Sequence, residues 1–153
     1  MNFGILDLEM TCDGRQEGTK FIDDGRMKHY KREIISVGFI VVDEKYNIKS
    51  NYKSFVKPAY NKILTDYCKN LTRIKQNEVD SGKKCDNAFR DIKKICERYS
   101  VKKIITFGNA DKVGIISSIK FCKKAKEKVI YMYIILSKII DIQPKIIKQI
   151  IMH

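Results

Sequence analysis

Phe3–Cys12 reads FGILDLEMTC, an apolar run fit for a buried strand that nevertheless carries two acids, Asp7 and Glu9. Side chains alternate faces along a strand, so Asp7 and Glu9 point one way, and Leu6, Leu8 and Met10 the other. Two carboxylates side by side repel each other and cost free energy to desolvate. A cation makes the pair tolerable, and adjacent oxygen ligands on a rigid strand suit a hard divalent ion, Mg²⁺ or Mn²⁺. A third ligand then has to come from another segment.

Outward from this strand, EIISVGFIVVD (33–43) is nearly continuous in apolar character, as in a strand buried on both faces. After the turn EKYN, the run IKSNYKSFVKP (48–58) alternates like a half-buried partner and stops at Pro58. The three runs predict an antiparallel meander, because the second connection is of hairpin length. Residues 12–32 read as a long polar loop without periodicity. Residues 62–80 read as short helical pieces. Asp86 offers an N-cap to a helix bearing Phe89, Ile92, Ile95, Cys96 and Tyr99. A fourth strand is expected at 102–108, KKIITFG, with a helix following directly over 109–124. KVIYMYIIL (128–136) reads as a fifth strand. The order predicts an α/β domain with a mixed sheet.

Asp111 lies where the fourth strand gives way to a helix, the place at which α/β sheets hold ligands. It is the candidate third ligand. Taken alone, it reads first as an ordinary first-turn acid that favours the helix N-terminus.

The chain of 153 residues is of single-domain length, and its 44% hydrophobic fraction fits a packed globule. Lys and Arg number 31 against 18 acids, a net charge of +13 that attracts polyanions, nucleic acid first among them. The abundance of lysine and isoleucine throughout supplies part of that excess by composition alone. No run approaches the roughly 18 apolar residues of a membrane span, and the N-terminus shows no basic-then-apolar leader, so a cytoplasmic, non-membrane protein is expected. Cys12, Cys68, Cys85, Cys96 and Cys122 form no CxxC pair and read as reduced, buried thiols. Residues 1–127 form the varied core of one domain spanning 1–153. The stretch 128–153 is an Ile/Lys-rich tail in which ten of 26 residues are isoleucine and Asp141 is the one acid. Helical spacing of Ile139, Ile142, Ile146 and Ile150 is interrupted there by Pro144.

The ordered set DLEMTC, EIISVGFIVVD, FVKP, LTDYCKNLTRIKQNEVD and FGNADK resembles the DEDDh 3′–5′ exonucleases of the ribonuclease H-like fold. The RNase T and ERI-type enzymes, which trim RNA or DNA 3′ ends, are the most similar subgroup, over about residues 1–120. The resemblance implies that Asp7, Glu9 and Asp111 hold two divalent ions, Mg²⁺ or Mn²⁺, around a scissile phosphate at a single-stranded 3′ end. It places Met10 and Thr11 near the terminal nucleotide and makes residues 64–80 a substrate-side loop and helix. There Arg73 stands where the family has glycine and Lys75 where it has threonine. Both are candidate phosphate contacts, with plain surface charge as the alternative.

Such an enzyme also needs a histidine followed five positions later by an aspartate, as general base and fourth carboxylate. His29 and His153 are the two histidines, Ile34 stands five after the first, and the second is the last residue. The expected architecture is therefore a ribonuclease H-like fold truncated at its C-terminus, able to bind 3′ ends but slow to hydrolyse them. The rival readings are a non-catalytic nucleic-acid-binding protein on the same fold and a protein-interaction module in which Asp7 and Glu9 are mere strand acids. Lys20, Arg26, Lys28, Lys31 and Arg32, interleaved with Phe21 and Tyr30, are a possible basic flank for a single strand. Asp23 and Asp24 dilute that patch and favour a solvated loop.

Overall fold

Strand β1 (Asn2–Met10) is central to a five-stranded sheet in the computed structural model, which describes residues 1–15, 18–23, 25–29 and 31–140. It pairs antiparallel with β4 (Ile34–Asp43), and β4 pairs antiparallel with β5 (Ile48–Phe55), giving the expected meander. On its other side β1 runs parallel to β6 (Ile104–Thr106), and β6 parallel to β7 (Ile139–Ile140). The sheet order is β5-β4-β1-β6-β7.

β4 is covered on both faces, as its unbroken apolar run requires. Its neighbours Ile34 and Ile35, which point opposite ways, belong to different hydrophobic clusters. On one face Leu6, Leu8, Phe39 and Val41 pack with helix α3 (Cys85–Arg98) through Phe89 and Ile92, and with α5 (Ile130–Lys138) through Met132 and Ile135. Buried positions 85, 88, 89, 92 and 96 of α3 recur at helical spacing, which lines up one apolar stripe. Gly4 allows the Phe39 ring to cross β1 closely, since a Cβ there would lie 2.6 Å from it. On the other face Cys12 and Ile35 pack with α1 (Asp66–Thr72) and α2 (Gln76–Asp80) through Leu64, Cys68, Ile74 and Val79. All five cysteines are buried and free.

The structure corrects three local expectations. Residues 128–136 form most of α5 rather than a strand, and the fifth strand comes later, as β7. β-branched and aromatic content suggests extended chain, but packing on α3 and a remote cap decide for helix. Asp86 supplies that cap. It lies inside the first turn of α3, whose N-cap is Lys84, and its carboxylate accepts from the backbone N–H groups of Tyr131 and Met132 at 2.8 and 3.0 Å. The stretch 128–140 thus joins the main core through Met132, Ile135 and Ile139. Finally, the polar segment 12–32 contains a hairpin, β2 (Lys20–Asp23) with β3 (Arg26–His29). Ile22 and Met27 are exposed, so neither face carries the apolar alternation that announces a strand. Asp24, Tyr30 and 141–153, with Asp141, Ile142, Ile146, Ile150 and His153, lie outside the described residues. No helix among the described residues is long and apolar enough to cross a membrane.

Candidate active site

β6 ends beside Leu6, while β1 continues four residues further, so Asp7–Met10 project past the parallel ladder. Helix α4 (Ala110–Lys124) starts in the space so left, with Asp111 in its first turn. Leu8 and Phe107 donate backbone N–H hydrogen bonds to the Asp111 carboxylate. The strand thereby pins the acid of the helix. It is a first-turn acid, and it faces Asp7 and Glu9.

Asp111 is 5% exposed. Burial, then the charge of Asp7, raise its pKa to about 6, against the two backbone hydrogen bonds, and the charge of Glu9 adds to the rise. Glu9 is exposed, yet partial burial and the neighbouring Asp7 push its pKa upward too, with Lys53 of β5 opposing. The charge of Asp7 thus bears on both Glu9 and Asp111, and the pKa of each is raised. Such an all-oxygen donor set has the chemistry that a hard divalent ion needs. Among the described residues, however, no three His, Cys, Asp or Glu side chains gather closely enough to hold an ion as they stand. Asp111 is held on backbone N–H groups, so closure falls to rotation of the exposed Asp7 and Glu9.

Leu8, Glu9 and Met10 share a hollow of about 170 Å³ with Tyr67, Leu71 and Thr72 of α1. Met10 and Arg32 line it and also a neighbouring depression of about 300 Å³ with Asn109 and Gly114. Met10 seats on α4 where Gly114 has no side chain; a Cβ there would be 2.2 Å from its sulfur. Thr11 is buried, and its Oγ1 accepts from the Glu33 N–H at 2.9 Å while its own N–H donates to Glu33 O at 2.8 Å. It ties the end of β1 to the start of β4. Burial, with Cys68 alongside, pushes the Cys12 thiol up to about 12, so it stays protonated beside Glu9 at neutral pH.

Arg73 and Lys75 sit at exposed helix ends. Arg73 caps α1 in the left-handed region at φ 62°, keeping the backbone turn that glycine would make without strain. Lys75 holds the N-cap position of α2, where its donor-only ammonium cannot cap. Its N–H donates instead to the Glu78 carboxylate at 2.8 Å. The α1 residues that face the hollow are Tyr67, Leu71 and Thr72. Helical spacing of 67 and 71 was the available signal for them.

A profile of the RNase_T family, described as Exonuclease, matches residues 5–141. The chain belongs to the DEDDh 3′–5′ exonuclease family. Among curated members, this one is 29% identical over 126 residues to the 3′-5′ exonuclease eri1 of Schizosaccharomyces pombe, covering 81% of this chain and 38% of that protein. It is 30% identical over 110 residues to the probable 3′-5′ exonuclease KapD of Bacillus subtilis, covering 70% of this chain and 47% of that one. The member thus spans less than half the length of either relative. Its fold superposes on the nuclease domain of 3′hExo, a DEDDh family member bound to rAMP, with a TM-score of 0.64 at 20% identity, covering 83% of this chain and 60% of that one. Exonuclease I of E. coli in complex with a dT13 oligonucleotide gives a TM-score of 0.51 at 14% identity, covering 83% and 24%. The family generally uses divalent metal ions.

Proposed function

We propose that Asp7, Glu9 and Asp111 are the metal-binding centre of a domain that trims single-stranded RNA or DNA from the 3′ end. One observation carries this reading: Asp7 and Glu9 stand on the part of β1 that outruns β6, with Asp111 in the first turn of the helix beside it, and burial together with the charges of Asp7 and Glu9 pushes Asp111 toward protonation. Mg²⁺ or Mn²⁺ there would activate a water and stabilise the leaving 3′ oxygen. The protein's own groups do the positioning. Asp111 is the fixed ligand, and Asp7 and Glu9 close against it. Met10, Tyr67 and Leu71 offer an apolar wall to the terminal base, with Thr11 holding the strand behind it. Arg32 lies beside Met10 as a candidate phosphate contact, and Arg73 and Lys75 add positive potential from the helix ends.

Within the 153 residues no histidine is followed five positions later by an aspartate. A positioned general base contributes about 10²–10⁴-fold in rate, so this chain by itself is expected to bind 3′ ends and cleave them slowly. The same absence favours the second reading, a non-catalytic nucleic-acid-binding protein on this fold. A 5′-labelled oligonucleotide with Mg²⁺ separates the two, using the chain as it is, Asp7→Asn, and the chain with a histidine- and aspartate-bearing family segment grafted after Ile140. Slow 3′ shortening that the graft accelerates by about 100-fold or more, and that Asp7→Asn abolishes, is expected. A grafted chain that binds the strand and leaves its length unchanged would favour the non-catalytic reading.

A further inference from the structure

A cleft of about 700 Å³ opens beyond the carboxylate centre and includes none of the three acids. Three stretches distant in sequence build it, within 11–31, 60–68 and 121–124. The hairpin gives Phe21 and Lys28, the loop after β5 gives Tyr60 and Asn61, α1 gives Cys68, and the end of α4 gives Phe121 and Lys124. Cys12 and Arg15 line this cleft and also the hollow beside Glu9, so the two depressions share a wall at the end of β1.

The lining combines aromatic rings with cations. Tyr60 is 48% exposed, its ring centroid lies 5.4 Å from that of Phe121, and the Lys124 ammonium stands 4.9 Å over it. Asp13 is the one acid among the lining residues, and Arg15 pairs with it, its Nε donating at 2.7 Å. A buried carboxylate holds the Tyr60 loop in place. Glu33, 2% exposed, accepts from the backbone N–H groups of Ala59, Tyr60 and Asn61 at 2.8, 3.1 and 2.6 Å, and from the Asn61 side chain at 2.8 Å. An exposed tyrosine on a rigid loop loses little conformational entropy when something stacks on it.

We propose that this cleft is the track for the body of a single nucleic-acid strand whose 3′ end lies at Asp7, Glu9 and Asp111. The proposal rests on the reading in the preceding section. Bases stack on Tyr60 and Phe121, and the backbone phosphates run beside Lys124 and Lys28. Rings on which any base can stack, set in a positive groove, are the means by which single strands are held without regard to sequence. An uncharged apolar peptide would fit the rings but gain nothing from the lysines, whereas a polyanion suits both and a chain of net charge +13.

The test compares a dinucleotide with a 10-nucleotide strand, each bound to the full chain and measured by fluorescence anisotropy across a salt series. Tyr60→Ala with Phe121→Ala is expected to weaken the longer strand by about 10-fold or more and leave the dinucleotide unchanged. Lys124→Glu, an exposed change that spares the fold, should weaken it likewise. Lys124→Ala should lower the slope of log affinity against log salt by about 0.7 for the 10-mer only. Equal losses for both lengths, or none for the 10-mer while Asp7→Asn still abolishes 3′ shortening, would overturn the cleft and spare the nuclease reading. Loss of self-association in the variants, with strand affinity intact, would make the cleft a contact between copies and overturn it too. No binding of either length to the unmodified chain would sink both.

Discussion

The hollow beside Glu9 shares Cys12 and Arg15 with the larger cleft, yet the carboxylate centre and that cleft are assembled by opposite means. The centre needs two segments, and backbone groups fix its buried member, Asp111, through the N–H groups of Leu8 and Phe107. The cleft needs three segments, and one buried side chain, Glu33, holds its exposed tyrosine. The difference teaches where each is vulnerable. Changes of side chain should alter the centre's charge and leave its frame standing. A single deletion at Glu33 should dismantle the cleft wall from beneath.

The largest expected effect follows from that contrast. Glu33→Ala removes the acceptor of three partly buried backbone N–H groups and an amide, and a donor left without a partner costs up to about 1–3 kcal/mol, less where water reaches it. Urea unfolding should show a loss of several such steps, the most severe of the substitutions considered. If Glu33→Ala proved as stable as the parent, water would be replacing the carboxylate and the contrast would fail.

Next comes Asp111, where charge rather than packing is at issue. Its pKa is raised from 3.8 to about 6, so the folded state holds its proton more tightly than the unfolded state does. The stabilisation from this group is complete below the unfolded value and is lost as pH rises through about 6. Without divalent ions, Asp111→Asn should therefore raise stability at pH 7 by roughly 1–3 kcal/mol and flatten the profile between pH 4 and 6. A variant that is less stable at pH 7 would mean that the hydrogen bonds from Leu8 and Phe107 outweigh the burial cost.

The smaller effects lie on the α1–α2 segment between the two regions. Arg73 is exposed at φ 62°, so Arg73→Gly should stabilise by about 1 kcal/mol. Lys75→Thr should add roughly 0.5–1 kcal/mol by giving α2 a side-chain cap. Thermal unfolding of each variant measures both, and a drop in either would place that side chain in a contact beyond its cap position.

The same contrast explains what could be read before the fold was known. Asp7 and Glu9 interrupt an apolar strand, and the β4 run Ile34–Asp43 is apolar on both faces, so centre and meander are written in local pattern. The place of Asp111, in a first helical turn just after a strand, is legible because a strand-to-helix junction is a short-range feature. The cleft was not, since Tyr60 and Phe121 meet only through tertiary packing. The β2–β3 hairpin hid because Ile22 and Met27 are exposed and give no alternation. Helix α5 reads as strand from its sequence because its cap, Asp86, lies on another helix. That Asp7 and Glu9 point away from Leu6 and Leu8 followed from strand geometry. That Asp111 is held back on Leu8 and Phe107 did not, for backbone donors carry no sequence signature.

The central claim is that Asp7, Glu9 and Asp111 act as one divalent-ion site, and thermal unfolding during a Mn²⁺ titration tests it most directly. An ion that binds only the folded state stabilises by about 2.7 kcal/mol at 100 times its dissociation constant. At this chain length that is a rise of several degrees in the midpoint. The parent should show that rise, and Asp7→Asn and Asp111→Asn should each lose most of it while remaining folded. A midpoint in the parent that does not move with Mn²⁺, or one that moves equally in all three proteins, would contradict the account.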